Sequence, residues 1–343
     1  MSVRAAEFKA SDMAHIGDTI MLAIGRTLAV LLALAGLAPA PVCAQTYPDK
    51  PIKLIVPGAP GGPTDVPARL ASQFLPKLGQ PVVIENRPGA GGAIGARAVV
   101  SAPPDGYSLL VGNTSVLAVI PAVSASAGYD PPRNLMPIAK FSESFQILVV
   151  HPSVPVTSVK ELIDYAKANP GKLNYAHTGQ GGLPHLTGEL WISRTGAQLV
   201  GVPYRSGGEA VTAVLSKAVD LTFEGITILL PLIREGKLRA LAVTSRTRSA
   251  LAPDLPTMME AGVPDYEVTT FNGMMAPVGT PEPIIAKLNA AINEGLQAPD
   301  MQETITKLGA VTDPGPPAKF GAFIAAELQK WKSVAQAANV KID

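Results

Sequence analysis

Cysteine is all but missing from this chain: Cys43 is the one thiol among 343 residues. An internal disulfide is therefore excluded, and so is any cysteine-cluster metal site. Histidine is nearly as scarce, with His151, His177 and His185 the three that follow residue 44. An excess of one charge is missing too: 28 Lys and Arg face 27 Asp and Glu, for a net charge of +1. That balance leaves no basic stripe for a nucleic acid. No G-x-S-x-G elbow, H-E-x-x-H pair or Walker-type phosphate loop occurs, which removes the common signatures of a serine hydrolase, a zinc protease and a nucleotidase. We assign no catalytic residue, no metal site and no cofactor.

The most apolar run, residues 27–37, follows Arg26 and leads into Pro39-Ala40-Pro41-Val42-Cys43-Ala44. It is short for a membrane span. A basic start, a short apolar stretch and small residues before a cut read as a secretory signal over 1–44, cleaved after Ala44. Met21 lies just ahead of Arg26, so residues 1–20 read as an upstream extension. Ala40-Pro41-Val42 is a poor lipoprotein signal for Cys43. The mature chain is then a secreted, thiol-free protein in an oxidising compartment.

Glycine and proline are abundant, at 32 and 33 residues. They cluster after short apolar runs: the strand Ile52–Val56 precedes Gly58 to Asp65, a strand over 81–85 precedes Asn86 to Gly92, and one over 173–176 precedes Thr178 to Pro184. Helices are expected over 66–78, from Gly92 to 100, over 159–169 behind a Ser158/Glu161 capping box, from His185, and over 209–216 and 226–235. Further strands fall at 107–111, 146–150, 199–203, 219–223 and 239–244. An extended segment at 266–276 leads to helices at 281–296, 301–308 and 317–338. Strand–loop–helix alternation implies parallel sheets with helices on both faces. The arrangement expected is α/β, two doubly wound lobes with a ligand cleft between them. Lobe 1 takes residues 45–147 and 272–343, lobe 2 takes 148–271, and the chain crosses near 145–151 and 268–275.

Ligands of such sheets sit beyond the carboxyl ends of strands, where glycine loops and helix N-termini offer N–H groups to anions. Gly61, Gly62 and Thr64 stand at one helix start. Asp65 reads as structural first, its carboxylate turned back on the N–H groups of its own helix. The Gly89–Gly95 cluster reads as a tight turn. His185 has two readings, a ligand donor or a partner for a nearby carbonyl. Arg205 is either a carboxylate partner or a solvated side chain. Tyr204 and Phe223 either wall a cleft or cap the core.

Many ordered segments carry a family resemblance over nearly all of the mature chain. They include Pro60-Gly61-Gly62-Pro63-Thr64-Asp65, Val82-Val83-Ile84-Glu85-Asn86-Arg87-Pro88-Gly89-Ala90-Gly91-Gly92, Pro104-Asp105-Gly106-Tyr107, Asn169-Pro170-Gly171-Lys172, Gly236-Lys237-Leu238-Arg239 and Ala276-Pro277-Val278-Gly279-Thr280-Pro281. The chain resembles the substrate-binding proteins of tripartite tricarboxylate transporters, the Bug family. The resemblance implies a type II periplasmic binding protein fold and delivery of a carboxylated solute to a membrane permease, by a monomer and without catalysis. It also implies a ligand site at Gly61, Gly62, Thr64, Asp65, Asn113, Thr114 and Ser115. On the second lobe it implies Thr178, Gly179, Gly181, His185, Tyr204, Phe223 and Glu224.

Four positions depart from the family pattern: Glu224 stands where Asp is frequent, and three others are expected to form a specificity wall. Gly58 stands where an aromatic residue is usual, and Phe271-Asn272 where a Trp-aromatic pair is usual. A roomier pocket, for an aromatic or longer dicarboxylate, is the expectation. Two other readings stay open on sequence: a ligand-sensing partner of a membrane receptor, and an enzyme acting on an organic acid in the same cleft.

Overall fold

A computed structural model describes residues 47–342, and the leader reading of residues 1–44 lies outside them. The described chain begins β1 (Ile52–Val56), α1 (Asp65–Ser72), β2 (Val82–Asn86), α2 (Ala93–Val100) and β3 (Ser108–Asn113). A π-helical turn at Ser115–Val119 precedes the 16-residue strand β4 (Leu135–Val150). Next come α3 (Val159–Ala168), β5 (Asn174–His177), α4 (Leu183–Thr195), β6 (Val200–Pro203), α5 (Gly207–Leu215), β7 (Leu221–Gly225), α6 (Ile226–Arg234) and β8 (Arg239–Val243). The last segment holds β9 (Thr269–Pro277), α7 (Glu282–Gln297), α8 (Pro299–Lys307), β10 (Ala310–Val311) and α9 (Pro317–Ala337).

Local chemistry sets several boundaries. Ser158 caps α3 by accepting the Glu161 amide at 3.1 Å, while the Glu161 carboxylate takes the Thr157 amide at 2.6 Å. Ser206 and Glu209 repeat the device at α5, where Glu209 takes the Arg205 amide at 3.1 Å. The single helix expected over 66–78 is broken: α1 stops at Ser72, and a 3₁₀ turn, Leu75–Leu78, follows. Pro76 lies inside that turn and has no N–H to continue an α-helix.

The strands lie in the order β2-β1-β3-β9-β4-β7-β5-β6, with β8 and β10 also paired to β4. β1, β2 and β3 are mutually parallel, as are β5, β6 and β7, but β9 and β4 run against their neighbours. The sheets are therefore mixed, where the alternation of elements had implied parallel ones. β4 joins them: Leu135 to Phe145 pair with β9, and Gln146 to Val150 with β7. From sequence only its last five residues read as strand. Lys140, Ser142, Glu143 and Ser144 interrupt the apolar pattern of the rest.

Side-chain alternation divides the core by faces. Leu54 and Val56 enter one cluster with α1 and α7, while Ile55 enters another with α2 and α9. On the other half Leu148 and Val150 face α3 and α4, and Ile147 and Val149 face α5 and α6. α9, assigned from sequence to the first lobe alone, packs on both halves. Its Phe320 and Ile324 join the cluster holding Ile55, and its Trp331, Val334 and Ala335 join the one holding Leu148.

Candidate functional site

The loop after β1 is organised by Asp65, which is fully buried at the first position of α1. Its Oδ2 accepts the Gly61 amide at 2.9 Å and Arg69 Nε at 2.6 Å, and its Oδ1 accepts Asn86 Nδ2 at 2.9 Å. The Arg69 hydrogen bond, against the cost of burial and with help from Gly61 and Asn86, holds the carboxyl down to about 2. Asp65 is thus a structural anion, bound to the loop ahead of it and to the Arg69 and Asn86 side chains, and not to the N–H groups at the start of its own helix. The Gly62 amide goes to the Ala59 carbonyl at 3.1 Å. Two N–H groups that the sequence offered to a ligand are consequently spent inside the loop.

Thr64 and Asn113 are brought together, with Asn113 Nδ2 donating to Thr64 Oγ1 at 2.7 Å. Asn113 Oδ1 accepts the Val116 amide at 3.0 Å. Thr114 is buried, and its Oγ1 accepts the Phe271 amide at 2.8 Å. These three side chains lace β1, β3 and β9 into one rim. Ser115 is half-buried beside them, and Gly58 lies behind Thr64, whose Cβ a side chain on Gly58 would meet at 3.7 Å.

Across the molecule, the loop between β5 and α4 is less committed. Among the described residues, the amides of Thr178 and Gly179 donate no hydrogen bond. Gly181 N–H donates to His185 Nδ1 at 3.1 Å, which leaves the proton of a neutral imidazole on Nε2. Burial pushes the His185 pKa down, favouring that neutral form. His177, given no role from sequence, stacks on His185 at 4.5 Å between centroids and donates Nδ1–H to the Gly179 carbonyl at 3.1 Å. Burial, and then the neighbouring His185, push its pKa down as well. The signal available for His177 was its place at the carboxyl end of β5. Tyr204 is half-buried and anchored by its amide to the His177 carbonyl at 2.8 Å. Arg205 is exposed, and its amide serves the α5 capping box.

Glu224 is the unusual group of this half. It is buried, and its Oε1 has no hydrogen-bond partner among the described residues. A Cβ added to Gly207, the first residue of α5, would lie 2.8 Å from its Oε2. Burial pushes the Glu224 carboxyl up to about 7, opposed by the Gly225 amide. Its neighbour Phe223 alternates to the opposite face and is 1% exposed, stacked on Tyr266 at 6.5 Å. Phe223 is therefore core, a correction to its placing at the ligand. Phe271 is corrected likewise: it has no exposed surface and sits edge-on to Phe320 and Phe323. Among the described residues, no hydrogen bond joins the rim around Thr64 to the Thr178, His185 and Glu224 set.

Alternation along β9 turns Asn272 away from Phe271, toward the face covered by α1, α7 and α8. There it borders a cavity of about 300 Å³. Val66, Leu70 and Phe74 line one wall, and Phe141, Leu296 and Ile305 another. Gly61, Ser142, Ser144, Asn272 and Thr227 supply its polar lining. Asn272 Nδ2 donates to Ser142 Oγ at 3.3 Å, but its Oδ1 is buried without a partner among the described residues. The serines on β4 and Thr227 on α6 had no sequence signal, because long-range pairing alone sets them beside Asn272.

The chain matches a family model described as the tripartite tricarboxylate transporter family receptor over residues 67–340. It is 40% identical over 317 residues to BugT of Bordetella pertussis, covering 92% of this chain and 97% of BugT. The structure of the periplasmic binding protein BugD is 36% identical, with a TM-score of 0.69 over 86% of this chain and 99% of BugD. An R. palustris protein, Rpa4515, solved with adipate, is 34% identical, with a TM-score of 0.73 over 86% of this chain and 99% of that one. The fold is that of these binding proteins, two α/β lobes flanking a cleft. Sequence and architecture agree over most of the length, and the chain belongs to the tripartite tricarboxylate transporter receptor family.

Proposed function

We propose that this protein is a periplasmic receptor that closes two lobes around a small di- or tricarboxylate and delivers it to the membrane subunits of a tripartite tricarboxylate-type transporter. In this reading residues 45–147 with 272–343 form one lobe and 148–271 the other, secretion follows cleavage after Ala44, and no bond of the solute is broken. The adipate held by a relative supports the ligand class. Family membership supports the transporter partner.

The observation that carries the reading is the pair of uncommitted amides, Thr178 and Gly179, ahead of α4. They stand next to His185, which burial keeps neutral and whose Nε2–H faces the Glu189 carboxylate at 3.7 Å, so the donors gathered here include no cationic side chain. Unpaired backbone donors in a glycine loop that leads into a helix favour a carboxylate. Each charge-assisted bond contributes about 1.5–3 kcal/mol before the cost of closing the lobes. Glu224 complements them: protonated, it donates to a carboxylate oxygen, and ionised, it repels one.

Calorimetric titration with adipate, succinate and citrate tests this. Binding of at least one acid, weakened in His185→Ala and with the acid recovered unchanged, is the expected result. Failure of all three to bind, or conversion of the acid, overturns the reading. Loss of uptake on deletion of the gene tests the transporter partner.

A further inference from the structure

We infer that the chamber beside Asn272 is a subsite for the apolar body of an amphiphilic organic acid. That body is an aryl or short alkyl group bearing a hydroxyl or N–H that donates to Asn272 Oδ1. The inference rests on the carboxylate reading above and narrows it to acids with a substituted ring or chain.

Three features of the chamber lead there. Its size, about 300 Å³, exceeds what a bare ring needs; an apolar cavity of about 150 Å³ already holds benzene. Its walls are two-sided, with Leu70 from α1, Phe74 just after it and Leu296 from α7 opposite polar groups on β4 and β9. Its polar side contains Asn272, which spends one N–H on Ser142 and, among the described residues, leaves Oδ1 buried and unpaired, so that a small rotation of the amide brings this acceptor to an occupant. An unpaired buried carbonyl costs free energy, so an occupant that brings a donor is favoured over an equally sized one without it.

The chamber is read separately from the carboxylate site by p-cresol, which carries the ring and the donor but no acid, and by toluene, which lacks the donor. Affinities are measured by titration, with chemical-shift mapping of the side-chain amide of Asn272. Wild type is expected to hold p-cresol about two- to tenfold more tightly than toluene, the worth of one hydrogen bond. Asn272→Leu replaces the amide with a branched hydrocarbon of similar shape and is expected to erase that preference. Asn272→Phe and Leu70→Phe fill the space from opposite walls and are expected to weaken both probes more than about tenfold. If p-cresol fails to bind wild type, or binds both filled variants as tightly as wild type, the inference is overturned. Comparing 4-hydroxyphenylacetate with p-cresol then reads the acid: a gain of about tenfold joins chamber and carboxylate site. No gain, with the p-cresol results intact, separates the chamber from the carboxylate site and overturns the inference that it holds the body of an acid, while the adipate, succinate and citrate titrations decide the carboxylate reading on their own.

Discussion

Asp65 accepts the amide of Gly61 at 2.9 Å, so the glycine loop after β1 is folded around an internal anion. Asp65→Asn replaces one of two oxygens that together hold Gly61, Arg69 and Asn86. A loss of about 2–4 kcal/mol is expected, since a buried network is left partly unpaired. The fold depresses this pKa from 3.8, so the wild-type contribution is present above that value and is lost as pH falls through about 2. Urea denaturation at pH 7 and pH 3 checks both; a loss under about 0.5 kcal/mol at pH 7 contradicts the assignment.

Glu224 behaves in the opposite sense. Its folded pKa, about 7, is raised from 4.5, so the stabilising protonated form is fully populated below 4.5 and its contribution is lost as pH rises through 7. Glu224→Gln is expected to be more stable than wild type at pH 8, by on the order of 2–3 kcal/mol, and to flatten the slope between pH 5 and 8. Carboxylate affinity should weaken across the same interval in wild type and stay level in the variant. Parallel melting curves at each pH decide the first point, and titrations at pH 6 and 8 the second.

Thr114→Val keeps the shape of a buried side chain and removes the oxygen that accepts the Phe271 amide. The orphaned N–H costs about 1–3 kcal/mol. Because that bond pins β9 to the end of β3, amide exchange at Phe271 should quicken beyond what the lost stability accounts for. Unchanged exchange there would count against the rim.

Gly188→Ala should destabilise although alanine is the better helix former by about 1 kcal/mol. A Cβ at this position on α4 would lie 2.3 Å from Tyr175 Cε2, inside a fully buried ring. The Tyr175 hydroxyl donates to the His185 carbonyl at 3.2 Å. The displaced ring should therefore shift the His185 resonances. A net loss of about 1–3 kcal/mol is expected from overpacking, and a gain would show that the helix moves freely.

The local elements were readable wherever one force dominated. Ile52–Val56 is a plain apolar run ahead of glycine and proline, and it forms β1. Ser158 and Glu161 announce α3 through capping alone. β4 was legible only at its apolar end. Its polar middle is strand because β9 pairs with it, and β9 lies more than a hundred residues away in sequence. Side-chain direction was equally hidden. Phe223 and Glu224 are adjacent, and only the register of β7 sends one into the core and the other beneath α5. The glycines of the first loop misled for a related reason: what an amide donates to depends on where Asp65 turns, which composition does not record.

The 21-residue helix α9 is anchored in one core by Phe320 and in the other by Trp331, which has no exposed surface. A rod about 31 Å long, gripped at both ends, resists being stretched or sheared. If the lobes close on a ligand as proposed above, the motion would proceed chiefly as torsion about that rod and the shared strand β4. Whatever recognises the loaded protein would read a changed twist angle and not a changed separation.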